Sequence, residues 1–293
     1  MICACFLLKL HLLKNQGEVD LDKMAVVTHY YSDSKLFHVS MYPIMGTQLD
    51  VLMLGESEMY LQSVWQKMER EVTMLHIKLN RFDKQSEIAY VNREAPFHPV
   101  VVSEELWLIL QDSLRYCQLT RGYFDITVRN FKHVLLDEIG QTVFFLSKSL
   151  YIDFGGLGKG YVLRRFKYIM EQCGIKSALI NFGNSSVLAL GTHPFGAYWP
   201  VGVVDPYTKR QIDNLHLTDS SLSVSGNMPS HPRHIINPFT GKYVEDRKMV
   251  AIVAPDPVDA EVLTTALMVA DDENLIHEIT ENFDIGEKHF YSL

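Results

Sequence analysis

Cysteine is scarce in this chain. Four occur in 293 residues, Cys3, Cys5, Cys117 and Cys173, and no two form a C-x-x-C pair. A disulfide framework and a cysteine zinc site are therefore not expected. Basic residues are outnumbered: 27 Lys and Arg against 35 Asp and Glu give a formal net charge of −8. That excludes a nucleic-acid binder working through a broad basic surface, but leaves room for a local basic pocket holding one phosphate. Long apolar runs are missing as well. The opening stretch MICACFLLKLHLLKNQ is interrupted by Lys9 and His11 and is too short to span a bilayer. It has neither the basic start nor the cleavage site of a secretory signal, and Cys3 and Cys5 come too early for a lipoprotein signal. Residues 1–30 are expected to be a poorly ordered leader, with Met24 as an alternative start, and 31–293 one domain. The expected location is the cytoplasm or a membrane surface.

What is present is ordinary globular material. Apolar residues make up 47% of the chain, which argues against disorder. The length suits one large domain or two intimate lobes. No repeat, low-complexity tract or Pro/Ser-rich linker divides it.

Residues 36–54 alternate apolar and polar around a turn at Gly46, as paired strands do. Ser57 to Leu79 reads as a helix, with Met59, Val64, Met68, Val72 and Leu75 forming its apolar stripe. Ser103, followed by two glutamates, opens a second helix that Gly122 ends. TVFFLSKSLYIDFGG holds one or two strands. A helix over 160–173 stops at Gly174. SALINF, SVLALG, WPVGVV and KMVAIVAP read as strands, and a last major helix covers 257–270. Intermixed strands and helices predict an α+β fold: two intimately packed α/β lobes of mixed sheets and helices, with a shared core.

The stretch DFGGLGKG, Asp153 to Gly160, has the chemistry of a phosphate-holding loop. Glycine lets the backbone approach a ligand closely. Amides at a helix start meet anions, and Lys159 adds a mobile positive charge. The loop matches neither the P-loop nor the dinucleotide fingerprint. On this segment alone two readings stay open: a diphosphate site, or a tight turn rich in glycine for packing.

Eight stretches occur in order: PIMGT (43–47), GYFDITV (122–128), DFGGLGKGYV (153–162), ALINFGN (178–184), WPVGVVDP (199–206), SVSGN (223–227), HIINPFTGK (234–242) and AEVLTTALMVAD (260–271). Together they resemble the FAD:protein FMN transferase family, also called ApbE, over about 37–271. The resemblance implies a nucleotide cleft between the lobes, FAD as substrate, Mg²⁺ as cofactor, and transfer of FMN to a Thr or Ser hydroxyl with release of AMP. The implied partner is an acceptor flavoprotein subunit, in a membrane redox complex or a reductase. A second copy of the chain is kept as a further partner. The implied FAD contacts are Met45, Gly46, Thr47, Phe124, Asp125, Thr127, Asp153, Gly155, Gly156, Lys159, Gly183, Ser225, Gly226 and His234.

Glu261 and Thr265 stand four apart on the last helix, so they share a face. A carboxylate with a hydroxyl is a magnesium platform in outline. The resemblance adds the Gly158 carbonyl as third ligand. The alternative is a solvated Glu and an ordinary helix hydroxyl. An imidazole can accept the proton of a hydroxyl, and the resemblance puts His234 in the place of the family's proton acceptor; the alternative is a structural histidine at a strand end. Three departures from the family pattern fall in this region. Glu261 replaces Asp, Asn237 replaces Asp, and Gly183-Asn184-Ser185 has one glycine fewer. They keep open an FAD-binding protein or an FAD pyrophosphatase with weak or no transfer.

Overall fold

The computed structural model describes residues 2–4, 24–229 and 234–293. Of the expected leader, residues 1 and 5–23 lie outside the described residues. Ile2–Ala4 forms a short strand, β1. Ala25–Tyr31, all but its last residue within the interval expected to be leader, is strand β2 and pairs antiparallel with β3, Leu36–Ile44. Strand β3 turns back into β4, Thr47–Leu54, and both alternate as read. Phe37, Val39, Met41, Leu49, Val51 and Met53 are buried, the period-two pattern of strands with one face on a core.

Helix α1, Glu58–Leu79, starts at Ser57, whose hydroxyl accepts the Tyr60 amide at 3.2 Å. Its buried stripe is Leu61, Val64, Trp65, Met68, Val72, Leu75 and Leu79. Met59 is not in it and is 82% exposed. A five-residue step from Met59 to Val64 overshoots one helical turn, and Leu61 holds the stripe position instead. Short α2, Glu87–Glu94, and strand β5, Val100–Val101, lead to α3, Glu104–Leu119, capped by Ser103 as expected. Strands β6, Val134–Asp137, and β7, Thr142–Phe145, pair with β5 in a small sheet.

Tyr151–Phe154 joins no sheet. Asn92 serves as its partner, with the side chain bonding the Ile152 amide at 2.7 Å and carbonyl at 2.9 Å. The glycine loop therefore follows a tethered segment rather than a strand. Helix α4 begins at Gly158, two residues earlier than read, and runs to Gln172. Strands β8, Ala178–Phe182, and β9, Ser186–Leu190, then form a hairpin. Strands β10, Trp199–Val204, and β11, Gln211–Leu217, pair with each other, and β1 adds to β10.

Strands β12, Ser221–Gly226, and β13, Lys248–Ala254, flank the return to helix α5, Pro257–Val269. The sequence reading stops near there, but the chain adds α6, Glu273–Thr280, and β14, Glu287–Ser292. Eight strands form the main sheet in the order β14-β13-β12-β9-β8-β4-β3-β2. All pairings among the described strands are antiparallel. The expected mixing of helices and sheets holds. One core joins α1, α3 and α4 to β3, β4 and β8; a second joins α5 and α6 to β13. Strands β10 and β11 cover the opposite face of β9, β12 and β13. No helix among the described residues is long and apolar enough to cross a membrane.

Helix α5 packs against α4, β12 and β13 and is buried on nearly every side. A helix so enclosed keeps polar residues only where each has a partner. Glu261 and Thr264 are such residues.

Candidate active site

The glycine loop and α5 meet at close range. A side chain at Gly160 would stand 2.7 Å from the Pro257 carbonyl oxygen and 2.8 Å from Glu261 Oε2. The two helices cross at backbone contact, which only glycine permits. One turn earlier, Gly156 faces the Phe124 ring and the Thr265 side chain, within ordinary contact distance of both. Gly158 opens α4 against the Met45 sulfur.

Glu261 is 3% exposed, so the solvated alternative does not hold. Its Oε1 pairs with the Lys159 ammonium and its Oε2 accepts the Gly160 amide. Leu157 at the N-cap offers α4 no side-chain acceptor, and Glu261 supplies the anion that the helix start attracts. The anion at this helix start is thus internal. Thr265 is four residues on and its hydroxyl bonds the Glu261 carbonyl at 3.2 Å. Asp259 points elsewhere, accepting the Tyr116 hydroxyl at 2.6 Å.

The donor set suits a hard cation. It holds one buried carboxylate and a hydroxyl, with lone pairs left on both carboxylate oxygens. No cluster of three or more His, Cys, Asp or Glu able to hold a metal occurs among the described residues. A carboxylate with a hydroxyl is a donor pair that fits magnesium, which prefers hard oxygen ligands and keeps several waters.

The remaining expected residues divide into those that face the loop and those that brace it. Met45 and Gly46 have φ of 47° and 74°, the two left-handed positions of a tight β3–β4 turn. The Met45 amide donates to His76 Nδ1 at 3.2 Å. Burial lowers the His76 imidazole below its ordinary value, against a smaller pull upward from Asp83, so the ring stays a neutral acceptor. Gly183 and Asn184 make the corresponding β8–β9 turn, with φ of 69° and 54°. A side chain at Gly183 would stand 2.9 Å from the Thr47 methyl, so these turns touch. The missing second glycine is replaced by Asn184, a residue that tolerates this conformation.

Asp125 and Thr127 are turned inward. Asp125 Oδ1 accepts the Thr127 amide and hydroxyl, both at 2.7 Å, while Oδ2 accepts the Phe131 amide at 2.8 Å. They shape the segment that presents Phe124. Asp153 accepts the Gly155 amide at 2.9 Å and pairs with Arg81 at 2.7 Å. Ser225 donates to Thr264 at 3.0 Å and Gly226 packs on Met249, so both anchor α5 and β13.

Asn227 reaches from β12 to the Val244 and Asp246 carbonyls at 2.7 and 2.9 Å. It holds the hairpin that follows His234, which is itself exposed. Asn237 Oδ1 accepts the Phe239 and Thr240 amides at 2.9 and 3.2 Å. Phe239 lies over Gly122 and Tyr123, its ring 4.7 Å from the Tyr123 centroid.

Sequence reasoning missed several contributors. Arg81 lies 4.2 Å above the Phe82 ring and 5.3 Å from that of Tyr151, and Phe82 is 79% exposed. An aromatic next to an arginine in a polar stretch was the available signal. His76 and Thr264 carried none, because each looks like an ordinary helix residue.

The ApbE family model matches residues 45–134 and 129–285. A FAD:protein FMN transferase of Klebsiella pneumoniae is 23% identical over 275 residues, covering 80% of this chain and 83% of that one. A FAD:protein FMN transferase of Chlamydia muridarum is 24% identical, covering 74% and 79%. Among solved structures, the flavin transferase ApbE of Vibrio cholerae superposes with a TM-score of 0.73 at 19% identity, covering 92% and 98%. An ApbE protein of Thermotoga maritima gives 0.74 at 21%, covering 92% and 93%.

Proposed function

The chain belongs to the ApbE family, and on that footing we propose that it transfers the FMN half of FAD to a threonine or serine hydroxyl of a target protein. The curated relatives, named as FAD:protein FMN transferases, support this reading. The observation that carries it is the meeting of Lys159, Gly156, Glu261 and Thr265 at one crossing of loop and helix.

The FAD diphosphate lies along residues 153–160, close to the first turn of α4. Met45 to Thr47, Phe124 and Gly183 bound the cleft, and the exposed Phe82 ring offers a flat face to one ring system of the dinucleotide. Glu261, Thr265 and the Gly158 carbonyl would hold magnesium, which neutralises diphosphate charge when bound. The acceptor oxygen attacks the FMN phosphorus. The bond from that phosphorus to the bridging oxygen breaks, and AMP leaves with that oxygen. His234 takes the hydroxyl proton. The acceptor is a flavoprotein subunit of a membrane redox complex or a reductase.

The test is to incubate the purified chain with FAD, Mg²⁺ and candidate flavoprotein subunits. A mass gain of one FMN on an acceptor, with AMP released in step, is expected. AMP release with no acceptor present and no mass gain on any subunit would replace transfer by FAD hydrolysis.

A further inference from the structure

We propose that Lys159 is a resident counter-ion of Glu261, which it surrenders to an arriving divalent cation before swinging onto the FAD diphosphate. The inference rests on the reading of the site given above and adds an order of events to it.

A carboxylate as deeply buried as Glu261 is costly without a cation and hydrogen-bond donors. Lys159 and the Gly160 amide supply both. The two partners are unequally enclosed. The Glu261 side chain is 4% exposed and that of Lys159 20%. The ammonium therefore reaches inward from the wetter side and can withdraw along its flexible stem.

A divalent cation bound through Glu261 and Thr265 needs the same oxygens. Two cations on one carboxylate repel each other at short range, and Lys159 is the one able to leave. Its Cα lies in the first turn of α4, at the end of the glycine loop. The released ammonium is therefore set down where the diphosphate binds. The longer arm of glutamate suits the arrangement, since it spans from α5 to both donors on α4.

The experiment uses Mn²⁺ as the probe and two readouts that need no FMN transfer. Free Mn²⁺ is titrated by electron paramagnetic resonance with the parental chain and with Lys159→Met. The variant is expected to bind about tenfold more tightly or better, having lost one repelling unit charge. In the parental chain alone, labelling of Lys159 by an amine-reactive ester is followed by peptide mass. It should be slow without metal, several-fold faster with saturating Mn²⁺, and slow again when FAD is added. Unchanged labelling on adding Mn²⁺ overturns the exchange, as does equal Mn²⁺ affinity of the two proteins. If neither protein binds Mn²⁺, the exchange and the metal site fall together. The FMN transfer assay, run separately on the parental chain, then shows whether transfer survives without them.

Discussion

Arg164 grips Asp256 with two nitrogens: Nε lies 2.9 and 3.1 Å from its two carboxylate oxygens and Nη2 lies 2.9 Å from Oδ1. The same Asp256 Oδ1 accepts the Val258 amide at 2.7 Å and so caps α5. Arg164 Nη1 also pairs with Asp112 of α3 at 2.9 Å. One guanidinium thus ties the start of α5 to two other helices, a turn before Glu261. Arg164→Met should cost about 2–4 kcal/mol, discounting the upper end of the buried-pair range for partial exposure. Urea unfolding measures it, and a loss under 0.5 kcal/mol would show that the clamp is ornamental.

Gly160→Ala tests the helix crossing. The new methyl group meets the Pro257 carbonyl, a backbone atom that cannot rotate away. The expected cost is about 1–3 kcal/mol, with a matching drop in the FAD-induced rise in Tm. Gly174→Ala is not an equivalent control, because Gly174 has φ of 67°.

Thr265→Ala and His234→Ala should separate binding from chemistry. Thr265→Ala is expected to weaken Mg²⁺-dependent turnover more than FAD affinity. His234→Ala should leave FAD bound and slow transfer by about 10²–10⁴-fold, the usual range for a lost general base. Transfer at the parental rate would remove His234 from the reaction.

His76 gives the Met45 turn an acid limb. The imidazole is depressed in the folded chain by burial. Its contribution to stability is therefore complete above the ordinary value of 6.5 and is lost as pH falls through the lower folded value. A charged ring can no longer accept the Met45 amide. Thermal unfolding scanned downward from pH 7 should show a loss that His76→Gln flattens.

Much of the framework was readable from the residues. The alternation in 36–54 and the Ser57 and Ser103 caps reflect local rules that the sequence states directly. Strand β2 was lost because all of AVVTHYY but its last residue lies inside the stretch read as leader. Strand β14, EKHFYS, has weak alternation and mostly exposed residues. The site was less legible. Spacing placed Glu261 and Thr265 on one face, but could not show that Lys159 and Gly160 come to that face from 101 or more residues away. Nor could it show that the Asp125 carboxylate takes the Thr127 and Phe131 amides, or that Ser225 donates to Thr264. Which way a polar side chain turns is settled by tertiary hydrogen bonds that no local pattern encodes.

The Asn237 turn has a consequence for how the hairpin after His234 meets acid. Its two backbone amides are held by a carboxamide oxygen, and a carboxamide takes up no proton across the physiological range. An aspartate in that place would become a carboxylic acid at low pH and slacken its hold. This chain's hairpin keeps the same grip on both sides of that titration.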